Sequence, residues 1–74
     1  MITVYTKPNC VQCDMTKKFL DNEGLEYSVE DITAPENQAQ LEYFLVEGYM
    51  AAPIVVTDKK TWSGYQIDNL KELI

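Results

Sequence analysis

The chain contains no histidine and no arginine, and only two of its 74 residues are cysteine. Each shortage closes a door. A structural zinc site takes four ligands drawn mainly from cysteine and histidine, so zinc would need two chains pooling their cysteines or unusual carboxylate ligation. Six lysines face twelve acidic residues for a formal charge of −6, which excludes the clustered cations that a phosphate backbone demands. No nucleic-acid partner is expected; solvation is the plainest reading of the acidic balance. No apolar run approaches the roughly 20 residues that span a bilayer, and the opening Met1-Ile2-Thr3-Val4 carries no basic segment or long apolar core of a leader. The expected location is the cytoplasm, with no membrane partner. Repeats, low-complexity tracts and linkers are missing too, so function must sit on the scaffold itself. Apolar residues make up 46% and charged residues 24%, the balance of a chain that folds around a core rather than a disordered one. One domain over residues 1–74 is expected, near the lower end of what folds without metals or several disulfides.

What the chain does have is Cys10-Val11-Gln12-Cys13. A C-x-x-C pair can be a redox couple, half of a metal site or a covalent staple. The staple closes too small a loop to stabilise much, and a cytoplasmic setting keeps thiols reduced. Copper transfer also uses C-x-x-C, but on a β-α-β-β-α-β fold with a different context. The redox reading fits best, and the flanking sequence bears on it.

Met1 to Thr6 is apolar and β-branched up to Lys7-Pro8-Asn9, which predicts a buried strand ending in a turn. Asn9 as helix cap, with Gln12 completing a capping box, predicts a helix whose apolar stripe is Val11, Met15, Phe19 and Leu20, stopped by Gly24. Leu25 to Ile32 alternates Leu25, Tyr27, Val29 with polar residues and predicts a second strand at a sheet edge. Thr33-Ala34-Pro35-Glu36 repeats the capping logic before a helix to about Val46, with Ala39, Leu41, Phe44 and Leu45 facing the core and Gly48 ending it. Ile54–Thr57 and Thr61–Ser63 predict a hairpin around Asp58-Lys59-Lys60. Beyond Gly64, Ile67, Leu70, Leu73 and Ile74 recur at helical spacing. The order is β-α-β-α-β-β-α: an α/β fold with a four-stranded mixed sheet and helices on both faces.

That order puts Cys10 at the end of strand one and the start of a helix. Unpaired N–H groups and the positive end of the helix dipole favour a thiolate there, and the thiolate is the attacking species. Cys13, one turn later and more enclosed, can resolve the mixed disulfide that Cys10 forms. Lys7 adds positive potential or simply occupies a solvated loop; Asp14 opposes ionisation of Cys13, and each effect is small if exposed.

Taken together, strand one, C-V-Q-C, the Gly48-Tyr49-Met50-Ala51-Ala52-Pro53 approach to strand three, and Trp62-Ser63-Gly64-Tyr65 resemble the NrdH redoxins, small glutaredoxin-like members of the thioredoxin superfamily. The resemblance covers essentially the whole chain. It implies a thioredoxin fold with a cis peptide before Pro53, where composition alone would leave a trans strand-starter open. It also implies that Ala52 presents backbone to a bound partner as an added strand. Trp62 alone would read as hairpin packing; the resemblance gives Trp62, Ser63 and Gly64 a supporting role near the redox loop, with Val11 and Gln12 tuning potential and partner fit. The implied activity is thiol–disulfide exchange: reduction of the class Ib ribonucleotide reductase large subunit, with recharging by thioredoxin reductase from NADPH. No bound cofactor is implied beyond the Cys10–Cys13 pair, and a monomer is expected.

The rival is a glutathione-dependent glutaredoxin or general protein disulfide reductase. Lys7 matches a lysine that glutaredoxins use for a glutathione carboxylate. Against it, Ala51-Ala52 stands where Thr-Val is usual, Ser63-Gly64 replaces Gly-Gly, Asp68 lies about one position late and there is no arginine. Weak glutathione binding is expected.

Overall fold

The computed structural model describes all residues, Met1–Ile74. Eight elements follow one another: β1 (Thr3–Thr6), α1 (Val11–Asn22), β2 (Ser28–Asp31), a 3₁₀ turn (Pro35–Asn37), α2 (Gln38–Val46), β3 (Ile54–Val56), β4 (Thr61–Ser63) and α3 (Ile67–Lys71). The sheet order is β2-β1-β3-β4, parallel between β1 and β2 and antiparallel elsewhere. This is the expected β-α-β-α-β-β-α arrangement.

Side-chain alternation along the two central strands separates two cores. Val4 pairs with Val55 and Val55 with Trp62, and this row packs against Leu20 of α1 and Leu70 of α3. On the opposite face Ile54 joins Ile32 and Phe44 of α2, with Tyr5 and Tyr49 against them. Tyr5 and Phe44 meet edge-on with ring centroids 5.0 Å apart.

Both long helices stop where glycine permits a left-handed residue. After α1, Gly24 adopts φ +68°, and the N–H groups of Gly24 and Leu25 donate to the carbonyls of Asp21 and Leu20. After α2, Gly48 at φ +92° does the same, with bonds from Gly48 and Tyr49 to Leu45 and Phe44.

Several expectations need correction. The inward face of α1 is Cys13, Thr16 and Leu20, whereas Val11 is 72% exposed and Met15 also reaches solvent. Packing of Leu20 against Val4, Val55, Trp62 and Leu70 sets which face of the helix turns inward and leaves the apolar residues at 11 and 15 outside it. Of the α2 stripe, Phe44 is buried and Leu41 half-buried, while Ala39 and Leu45 are exposed, because α2 meets the sheet mainly through Phe44. Strand β2 is confined to Ser28–Asp31 and is exposed throughout, Val29 included, as befits an edge; Leu25 and Tyr27 pack on the core from the loop before it. Thr33 is not a helix cap. Its hydroxyl and N–H both donate to the Asp31 carboxylate, at 2.6 and 2.8 Å, and α2 is preceded by the 3₁₀ turn instead. α3 ends at Lys71, leaving Ile74 exposed.

The Thr33 hydroxyl, then the Thr33 N–H, hold the Asp31 carboxyl below the usual aspartate range. A depressed carboxyl stabilises the fold above its unfolded-state pKa, and that contribution is lost as pH falls through the folded value. Carboxyl NMR titration should place Asp31 below an ordinary aspartate, and Thr33→Val should move it upward. The corrected face of α1 gives a second test. Leu20→Ala should cost about 2–5 kcal/mol in denaturant unfolding, whereas Val11→Ala should stay within about 0.5 kcal/mol.

Candidate active site

One end of the sheet gathers the chemistry. Tyr5 pairs with Ile54 and Ile54 with Ser63, so the exit of β1, the entry of β3 and the exit of β4 lie side by side. These are the points at which the chain carries Cys10, Pro53 and Gly64.

At the exit of β1 the turn Lys7-Pro8-Asn9 reverses the chain, with Asn9 in the left-handed region at φ 57°. Asparagine tolerates that conformation better than most residues. The helix cap therefore passes to Cys10, which has the extended backbone of a cap (φ −113°, ψ 104°). Its sulfur takes the place of the usual cap oxygen, accepting a hydrogen bond from the Cys13 N–H at 3.1 Å. The capping box expected from Asn9 and Gln12 is absent, and Gln12 is used elsewhere.

Cys10 and Cys13 are joined as a disulfide, with Cα atoms 5.2 Å apart. Their surroundings differ sharply. Cys13 is 1% exposed on the inward face of α1, whereas Cys10 keeps part of its surface in solvent. The first residue is open to solvent and the second is sealed from it. When the pair is reduced, a backbone N–H aimed at the Cys10 sulfur favours its anion over its thiol. Asp14 pairs with Lys17 at 3.7 Å on the exposed side of α1.

The Ala52–Pro53 peptide is cis, as the resemblance implied, and Pro53 is buried. Its carbonyl accepts the Gly64 N–H at 2.7 Å, extending the β3–β4 ladder by one bond. Gly64 needs φ +81°, a conformation that side chains resist. The next amide, Tyr65 N–H, donates to the Gln12 side-chain oxygen at 2.9 Å. Trp62 lies in the core, its indole N–H buried without a partner, while Ser63, Gly64 and Tyr65 bring the segment to the surface.

Beside the Ala52–Pro53 peptide runs an apolar groove. Leu41, Leu45, Tyr49, Met50, Ala51 and Ala52 form much of its wall, and Lys7 is the one charged residue that lines it. Lys7 is exposed and takes part in no salt bridge. Sequence reasoning named Lys7 and Ala52 but missed the groove, whose sequence signal was the apolar run Tyr49-Met50-Ala51-Ala52 after Gly48. It also missed Tyr65 as a partner of Gln12. No group of three or more cysteine, aspartate or glutamate side chains is placed to hold a metal ion. No helix is long and apolar enough to cross a membrane.

The family model for glutaredoxin matches residues 2–62. The chain belongs to the glutaredoxin family. Within it, several relatives are of the NrdH type. The glutaredoxin-like protein NrdH of Lactococcus lactis subsp. lactis is 36% identical over 73 residues, covering 99% of each chain. NrdH of Escherichia coli K12 is 31% identical over 72 residues, covering 97% of this chain and 86% of the relative. The solved structure of Escherichia coli NrdH-redoxin, described as the basis of that protein's thioredoxin-like activity profile, superposes with a TM-score of 0.89 at 29% identity over 99% of this chain and 93% of the other. The chain is thus an NrdH-type glutaredoxin-like thiol–disulfide oxidoreductase with Cys10–Cys13 as its redox-active pair.

The unequal exposure of the two cysteines has a direct readout. Brief alkylation of the reduced protein, followed by peptide mass spectrometry, should label Cys10 almost exclusively; comparable labelling of Cys13 would mean that the reduced pair is not held as described.

Proposed function

We propose that this redoxin reduces the large subunit of a class Ib ribonucleotide reductase and is recharged by thioredoxin reductase using NADPH. Cys10 is the nucleophile and Cys13 the resolving thiol. The Cys10 thiolate attacks one sulfur of the client disulfide; that S–S bond breaks, the leaving sulfur takes a proton, and a mixed disulfide forms on Cys10. Cys13 loses its proton and attacks the Cys10 sulfur, releasing the second client thiol and closing the Cys10–Cys13 disulfide. Two electrons pass to the client, and recharging runs the same exchange in reverse. Flavin and nicotinamide belong to the reductase, and the redoxin works as a cytoplasmic monomer with no cofactor of its own.

The observation that carries this reading is the apolar groove beside Ala52, with Lys7 as its only charge. Glutathione is a small charged tripeptide that calls for charge-assisted partners. A polypeptide segment can instead fill an apolar groove and hydrogen-bond along the backbone at Ala52 as an added strand. The thioredoxin-like activity profile described for the Escherichia coli relative supports a protein reductase as donor. Lys7 favours the second reading, a glutathione-dependent glutaredoxin or general disulfide reductase, because one groove cation is available for a carboxylate.

NADPH oxidation separates the two. Turnover of a disulfide client should be rapid with thioredoxin reductase and slow with glutathione plus glutathione reductase; turnover with glutathione alone would overturn the choice of donor. Cys10→Ser should abolish turnover, and Cys13→Ser should accumulate mixed disulfides on Cys10, whose absence would count against the assigned roles.

A further inference from the structure

We propose that Gln12 is a positioning residue that clasps the redox helix to the loop after β4, fixing where a polypeptide disulfide lies relative to Cys10. The inference rests on the roles given above to Cys10 and Ala52. Two consecutive amides make the clasp. The Gly64 N–H donates to the Pro53 carbonyl at 2.7 Å, and the Tyr65 N–H donates to the Gln12 side-chain oxygen at 2.9 Å. A two-residue bracket therefore joins the entry of β3 to the first turn of α1.

Gln12 is well placed for this. Its carbonyl accepts the hydroxyl of the fully buried Thr16 at 2.9 Å, so its backbone is tied into the helix and only its side chain reaches outward. Gly64 lies against the same contact: a Cβ there would meet the Gln12 oxygen at 3.4 Å, an ordinary van der Waals distance, so the glycine is called for by its φ of +81° rather than by space. Because Tyr65 offers a donor, the amide oxygen must face the loop, and the oxygen is all that the bracket needs.

A polypeptide disulfide engages two elements at once, its sulfur at Cys10 on α1 and its backbone at Ala52 before β3. Their separation is set by how α1 sits against the sheet end. A small aromatic disulfide engages Cys10 alone. Loss of the clasp should therefore weigh on the first class of substrate more than on the second, which a change in Cys10 reactivity would not do.

The test uses the reduced full chain in single-turnover kinetics with insulin and with 5,5′-dithiobis(2-nitrobenzoate). Gln12→Met removes the acceptor at similar size; Gln12→Glu keeps it. Gln12→Met should lower the ratio of insulin rate to small-disulfide rate about fivefold, the scale of one net hydrogen bond, and speed hydrogen exchange at the Tyr65 amide. Gln12→Glu should restore the ratio and the protection. An unchanged ratio, equal loss on both substrates, or Tyr65 protection that survives Gln12→Met would overturn the clasp. Should Cys10 not be the nucleophile, the Cys10→Ser protein would still react with the small disulfide, a failure separate from any change in the ratio. Thermal unfolding of both variants identifies general destabilisation, which would lower the two rates together and so also count against the proposal.

Discussion

Helix α1 begins on a sulfur atom, and the site is organised around that fact. The first free N–H groups of a helix need acceptors, and here the Cys13 N–H finds its acceptor in Cys10 itself. One hydrogen bond thus caps the helix and aims a donor at the sulfur that solvent can reach. The rotation of the helix is set by packing. Cys13, Thr16 and Leu20 point inward, so the second sulfur is sealed beneath the first. The burial of Leu20 against Val4, Val55, Trp62 and Leu70 then holds the helix in that rotation. Core packing and sulfur chemistry are consequences of the same register.

The sheet supplies the other half. Short central strands bring the exits of β1 and β4 and the entry of β3 to one end, where hairpin pairing delivers Gly64 to the Pro53 carbonyl and Tyr65 to Gln12. Electrostatics is a lesser contributor. The salt bridges involve exposed side chains, of which Asp14–Lys17 is the one nearest the cysteines, and surface pairs of this kind stabilise little.

Much of this was legible in the sequence because the strong local signals agree with the fold. β-Branched runs at 3–6 and 54–56, glycines at 24 and 48, and a helical pattern through Phe19 and Leu20 gave the element order and put C-x-x-C at a strand-to-helix junction. The cap was misplaced because asparagine is a far commoner cap than cysteine, and Val11 and Met15 were directed to the core because their apolar spacing masked an inward face made of Cys13, Thr16 and Leu20. The apolar pattern of α2 could not separate residues facing the sheet from those lining the groove, since Phe44 is apolar for the first reason and Leu45 for the second. The bond between Gln12 and Tyr65 spans 53 residues and leaves no local trace. Trp62 was readable either way until its place beside Val55 put the ring in the core.

The chemistry of the site depends on the helix start favouring the Cys10 anion once the disulfide is opened. Ultraviolet absorbance of the thiolate in the Cys13→Ser protein, where Cys10 is the only thiol, measures it directly. The expected result is a clear thiolate band already present at neutral pH. A band that appears only as pH rises past that of an ordinary thiol, about 8.5, would contradict it.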